Sequence, residues 1–329
     1  MIKSKTFSML AIGATAALVL AGCAAAETET ETETTAGTEA ATSIIGAYDL
    51  SGIDITVGSK DFDEQLILGQ MMVLAFEEAG ATVEDQVNLG GTAVARAGLE
   101  SGEIDIYMEY NGTGWTNHLG QEQPSFDPEV LTTGVREMDL EKNGIVWLSR
   151  SPFNNTYGFT SSPEVTEANG GAFSLQTMME YVRDNADATV CMESEFPSRP
   201  DGLVLTEEAT GITLPVDQQL ILDTGIIYTE TAANNCDFGE VFTTDGRIPA
   251  LNLTLVEDPG VNILYNVSGT IREDKYSEAP EAFDGIIEAI LAPLDEIRMA
   301  GLNALVSAEG QDPKVVANDY LVEEGLISG

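Results

Sequence analysis

The chain has 329 residues and carries 55 Asp+Glu against 14 Lys+Arg, a formal net charge of −41. Phosphate contacts need basic clusters that are missing from such a chain, which argues against nucleic-acid binding. A field of this sign attracts cations and cationic solutes, and it makes every basic residue placed in a loop informative.

The N-terminus opens with Lys3 and Lys5, continues with an apolar run from Phe7 to Leu20, and ends in Leu20-Ala21-Gly22-Cys23. A run of that length behind lysines predicts a secretory signal over 1–22 rather than a membrane span. Small residues ahead of a cysteine resemble a bacterial lipobox, so Cys23 is the expected lipidated N-terminus of an extracytoplasmic, membrane-anchored protein. Loss of the two lysines moves the mature net charge from −41 to −43. The acidic, aromatic-free stretch that follows buries too little surface to offset its ordering entropy, so 23–47 is expected to be a disordered spacer.

Beyond the spacer, short β-rich runs alternate with helical periods, which predicts an α/β architecture. Strands are expected at 53–57, 82–87, 104–107, 145–148, 156–160, 189–191, 251–256 and 261–267. Helices are expected at 62–78, 92–100, 127–141, 174–185, 201–209, 217–229, 279–300 and 313–324, with Pro293 splitting the seventh. The segments 145–160 and 251–267 each join β-like runs through a polar break. They read as crossings between two lobes, one at 48–153 plus 257–329 and the other at 154–256. In an open α/β sheet, ligands lie beyond the carboxyl ends of strands, where Lys60, Tyr110 and Thr113 fall. Asn88 to Thr92 reads as a strand-to-helix turn, since it lacks the lysine of a P-loop.

The fragments GSKDFDEQLILG, NLGGTAVARAGLESGEIDIYMEYNGTG, FNNTYGF, EFPSRPDGL, FTTDGRI and LVEDPGVNILY occur in this order. In sequence and spacing they resemble the osmoprotectant-binding lipoproteins of ABC importers, the glycine betaine, carnitine and choline receptors of the ProX/OpuC type. The resemblance implies a type II periplasmic-binding-protein-like fold, two lobes each with a mixed, mainly parallel sheet flanked by helices, and a ligand in the cleft between them. It implies a monomeric receptor that delivers a quaternary ammonium ligand to an ABC permease, without cofactor or metal.

A trimethylammonium group donates no ordinary N–H hydrogen bond and is too diffuse for a tight salt bridge. Several ring faces suit it, each at about 0.5–2 kcal/mol. The resemblance carries such a box onto Tyr110, Tyr157, Phe242 and Tyr265, with the Asn155 carbonyl closing one side. Phe242 departs from the family's usual tyrosine and keeps the ring without the hydroxyl. Lys60, Arg199 and Thr113 match the positions that take a ligand carboxylate, Arg199 through its planar fork, and Gln65 is a further polar contact. Two cations beside a cage favour a zwitterion over choline; carnitine, choline or an amino acid remain as other ligands.

Taken singly, each residue has a plainer reading: a packed tyrosine, a solvated lysine, an arginine paired with Asp201 or Glu195. An enzyme would have to work through the single histidine, His118, which reads as a surface or helix-end residue, and no GxSxG motif is present. Cys191 and Cys236 form an even pair in an oxidising compartment, as a disulfide or as two buried thiols.

Overall fold

The computed structural model describes residues 43–122 and 124–329, so the signal, Cys23 and nearly all of the expected spacer lie outside the described residues. Residues 43–47, which the sequence assigned to the spacer, belong instead to the folded unit. Ile45 is fully buried and its N–H bonds the Leu326 carbonyl at 2.9 Å, so this stretch has an apolar anchor that the acidic run before it lacks.

Two five-stranded sheets organise the chain. The first holds β1 (Asp54–Lys60), β2 (Thr82–Gly90), β3 (Ile106–Tyr110), β4 (Ile145–Asn154) and β10 (Asn266–Arg272), in the order β2-β1-β3-β10-β4. The second holds β5 (Tyr157–Ser161), β6 (Val190–Met192), β7 (Gln219–Ile221), β8 (Phe238–Phe242) and β9 (Thr254–Leu255), in the order β7-β6-β8-β5-β9. In each sheet one strand, β10 or β5, runs antiparallel to both its neighbours. This brings the start of β10 and of β5 to the edge where the parallel strands end: Val267 pairs with Tyr110, and Tyr157 pairs with Phe242. The aromatic residues of the expected site therefore gather at the facing ends of the two sheets.

The helix Asp63–Glu78 buries Ile67, Leu68, Met71, Met72, Ala75 and Phe76, a spacing of three and four that keeps one face on the first sheet. It stops at Ala79-Gly80, where Gly80 takes φ 93° and turns the chain into β2. The helix Pro128–Asn143 starts on Asp127, whose carboxylate accepts the Glu129 and Val130 N–H groups, with Pro128 at its first position. Pro293 lies between the helices Pro280–Leu291 and Glu296–Ser307, as its missing N–H requires.

The chain passes between the sheets twice, at residues 154–156 and between β9 and β10. The two passages bond to each other: Asn155 N–H to Tyr265 O at 3.2 Å, Tyr265 N–H to Asn154 Oδ1 at 2.6 Å, and Thr156 Oγ1 to Ile263 O at 2.8 Å.

Several elements depart from expectation. The strand expected at 261–267 begins only at Asn266, because the Asp258 carboxylate holds the Gly260, Val261 and Asn262 N–H groups in a turn. β8, central in the second sheet, was missed: its run Phe-Gly-Glu-Val-Phe has a buried glutamate where alternation would be sought. The helix expected from 217 begins at Thr224, and Gln219–Ile221 pairs with β6 instead. The short helix Pro163–Asn169 was also missed, though Ser162 capping the Val165 N–H ahead of Pro163 is a legible start signal. The structure joins Cys191 to Cys236, with Cα atoms 5.8 Å apart.

Candidate functional site: an aromatic cleft between the sheets

A cavity of about 670 Å³ opens where the two sheets face each other. β1 delivers Lys60 to it and β3 delivers Tyr110, with Thr113 on the helical turn that follows. Asn155 and Tyr157 enter from the first passage, Tyr265 from the second, and Arg199 and Phe242 from the half built on the second sheet. Gln65 is the exception. It is fully buried in the first turn of the helix Asp63–Glu78, beneath the wall rather than on it, because helical rotation turns Asp63 to the cleft and Gln65, two residues on, away from it. His118 ends the helical turn Gly114–His118, a helix end as expected but not a surface residue: its ring nitrogen lies 2.8 Å from buried Glu109 and its side chain is 5% exposed. Neither Trp115 nor Trp147 lines the cavity, the latter being buried with its indole N–H on Asp139.

The rings close a cycle that includes one the sequence did not single out. Phe62 stacks on Phe242 at 4.9 Å and on Tyr110 at 6.1 Å between centroids. Tyr110 meets Tyr265 at 6.3 Å, Tyr265 meets Tyr157 at 5.3 Å, and Tyr157 returns to Phe242 at 5.3 Å. A regular pentagon with such edges places its centre about 5 Å from each corner, inside the ~6 Å reach of cation–π attraction. Phe62 was legible only as the apolar first residue of the expected helix 62–78; the helix begins one residue later, at Asp63, and the extended N-cap position brings Phe62 in. Burial raises the phenols of Tyr110, Tyr157 and Tyr265 well above the usual tyrosine value, so they stay neutral.

The hydroxyls of two of these rings are anchored. Tyr110 donates to Glu64 at 2.8 Å, and Tyr265 donates to Asp201 at 2.8 Å. Glu64 also accepts from the Asn155 amide (2.9 Å), the Thr244 hydroxyl (2.7 Å) and the Asn303 amide (2.8 Å), joining both halves behind the cage. Burial raises its pKa, opposed by those donors. Among the described residues the Tyr157 hydroxyl makes no hydrogen bond to the protein, so Tyr157 contributes a ring alone.

Both expected cations are already paired. Lys60 Nζ donates to Glu109 at 2.6 Å, with both side chains buried, and lies 5.1 Å from the Tyr110 centroid. Burial opposes the Glu109 charge, but the Lys60 ammonium and the His118 ring hold its carboxyl well below the usual range. Arg199 sits 5.5 Å from the Tyr157 centroid, and its planar fork, expected to chelate a ligand, grips Asp201 through Nε and Nη2, each at 2.9 Å. Its remaining N–H groups face Thr92, Thr113 and Glu195, each at 3.2 Å. A third cleft cation, Arg247, was not singled out from the sequence and pairs with Asp245 and Asp63.

Arg199 to Thr92 and Thr113, Asp201 to Thr116 and Asn117, and Arg247 to Asp63 all bridge the two halves across the cleft. Two mixed sheets of this order, crossed twice by the chain and facing each other over a ring-lined cavity, define a type II binding protein: a scaffold that takes a small ligand between its halves. The comparisons make the class specific. Residues 53–323 match the family described as the substrate-binding domain of an ABC-type glycine betaine transport system, and the chain belongs to that family.

It is 32% identical over 278 residues to the glycine betaine-binding protein YehZ of Escherichia coli (strain K12), which covers 82% of this chain and 90% of that protein. It is also 32% identical over 282 residues to a glycine-betaine-binding protein of Pseudomonas aeruginosa, across 83% of this chain and 88% of the relative. The solved structure of apo YehZ superposes with a TM-score of 0.60 at 31% identity, covering 83% of this chain and 99% of that one. Members of this family are substrate-binding transport proteins rather than enzymes, and they work outside the cytoplasm with ABC permeases. No helix of the described residues is long and apolar enough to cross a membrane.

Proposed function

We propose that this chain is the receptor of an ABC importer and that its cleft takes a small quaternary ammonium zwitterion, with glycine betaine as the reference ligand. One observation carries the reading: five rings, from Phe62, Tyr110, Tyr157, Phe242 and Tyr265, close a cycle at the facing ends of two sheets. A methylated nitrogen held among these rings lies within cation–π reach of them and has no N–H for an acid to accept. The carboxylate then points toward Lys60, Thr113 and Arg199, and the Asn155 carbonyl closes the remaining side. The ligand touches residues from both halves, so it favours the arrangement in which they meet, a population shift without chemistry.

The halves correspond to 48–153 plus 257–329 and to 154–256, the first now beginning near residue 43. We further propose that Cys23 carries lipid and tethers a monomeric receptor to the membrane. Metabolic labelling with a fatty acid and its loss in Cys23→Ser tests the anchor. Calorimetry and thermal shifts with glycine betaine, proline betaine, carnitine, choline, proline and spermidine test the ligand. Methylated ammonium compounds should bind, and proline and spermidine should not; ligand recovered unaltered separates a receptor from an enzyme. Tight spermidine binding with silence toward every methylated compound would end the proposal.

A further inference from the structure

Arg199 has five N–H groups, and all five are satisfied: two on Asp201, one each on Thr92, Thr113 and Glu195. A ligand carboxylate reaches this guanidinium only by displacing a partner. Asp201 is not displaceable at reasonable cost, since its side chain is 0% exposed and it also accepts from Thr116, Asn117 and Tyr265. Glu195 differs. Its side chain is 35% exposed, it lines the cavity, and Arg199 Nη1 at 3.2 Å is its side-chain partner.

The opposite wall is shaped to admit Glu195. A Cβ on Gly91 would meet Glu195 Oε1, so the bare glycine lets the carboxylate lie against the wall where it stands, and a larger residue there would move it. Gly91 is the N-cap of the helix Thr92–Ser101, whose positive dipole end favours an anion. The Glu195 carboxylate thus crosses from the second half of the protein to the first, held by Arg199 and lying against the helix N-terminus at Gly91. That carboxylate is supplied by the chain itself, at the pole of the cleft where the anionic end of a zwitterion belongs.

We infer that Glu195 is a specificity-determining residue: it occupies the anion pole of the cleft, competes with the carboxylate of a betaine for Arg199, and so reduces the advantage of a zwitterion over a quaternary ammonium ligand without an anion. Choline leaves Glu195 on Arg199 and adds no second anion. Glycine betaine must either push Glu195 aside or share the pole with it. The inference rests on the cage reading above and adds a charge filter to it.

Calorimetry of the wild type, Glu195→Gln and Glu195→Ala with glycine betaine and with choline tests it, with Tyr157→Ala run in parallel. Removing the resident charge should tighten betaine about tenfold, the worth of one charge-assisted hydrogen bond regained by the ligand, and should leave choline unchanged or weaker. The alanine variant, having no amide to refill the pole, should show the same opposition. Betaine and choline shifting together by one factor, or betaine weakening in both variants, would overturn the role of Glu195 while leaving the cage intact. A wild type that binds neither ligand, or Tyr157→Ala binding both as well as wild type, would overturn the cage and this inference with it.

Discussion

Tyr157 separates the worth of a ring from the worth of a hydroxyl more cleanly than any other residue of the cleft. Its ring stands 5.3 Å from both Phe242 and Tyr265, and its hydroxyl bonds nothing in the described protein, whereas the hydroxyls of Tyr110 and Tyr265 each reach a buried carboxylate. Tyr157→Phe should therefore bind glycine betaine within a factor of about two of wild type. Tyr157→Ala removes one wall of the cage and opens it to water. At the desolvated end of the cation–π range the loss is about 2 kcal/mol, a weakening of about thirtyfold. Tyr181→Ala is the control, because that ring packs on Phe173 and Phe238 inside the second half, away from the cavity. It should lower the melting temperature with little change in Kd. Isothermal titration calorimetry on the three variants decides the matter: a Tyr157→Ala protein that binds as tightly as Tyr157→Phe would refute the cage, since ring loss and hydroxyl loss would then be equivalent.

Lys60→Met should cost stability as well as ligand, since it strands Glu109 in the interior without its cation; about 3–5 kcal/mol is expected in chemical denaturation, and pairing it with Glu109→Gln should recover most of that loss. Glu240 lies at the centre of the second sheet, and burial, followed by the Glu193 charge, pushes its carboxyl up to about 8. A carboxyl whose folded pKa is raised keeps a proton that the unfolded chain gives up, so it costs stability progressively from about pH 4.5, its ordinary value, up to about 8. Glu240→Gln should accordingly raise the melting temperature at pH 8.5 and change it little at pH 4; a shift independent of pH would contradict that sign. Cys191 and Cys236 are separated by 45 residues, for which loop-closure entropy predicts about 4 kcal/mol at most, so Cys191→Ser with Cys236→Ser should lower the denaturation midpoint without altering ligand affinity.

Lys60, Tyr110 and Thr113 were legible because they sit where strands end, and the motifs shared with a known family pointed to Asn155, Tyr157, Arg199, Phe242 and Tyr265, all of which line the cavity. Tyr110 closes β3 and Tyr157 opens β5, and those positions follow from local patterns of β-rich residues and polar breaks. Phe62 and Arg247 were not legible as site residues: nothing local marks an apolar residue before a helix, or an arginine after Asp-Gly, as facing a cavity. Gln65 was misplaced for the complementary reason. A helix rotates 100° per residue, so Gln65, two positions beyond the cleft-facing Asp63, lies on the opposite side of the helix, and only packing against the first sheet settles which side faces inward.

Local pattern and composition alone thus determined the α/β class, the course of the helices and the shortage of bases that made Lys60 and Arg199 conspicuous, while the ring identities came from the resemblance of short motifs to a known family. Tertiary structure decided which carboxylates those bases hold. Glu109 lies 49 residues from Lys60, and the cleft-spanning bonds of Arg199 to Thr92 and Thr113 cover 107 and 86 residues. Pairings at such distances depend on how two sheets close on each other, and no periodicity within a window of the chain encodes them. The charge that faces a ligand is what remains after those pairings are made.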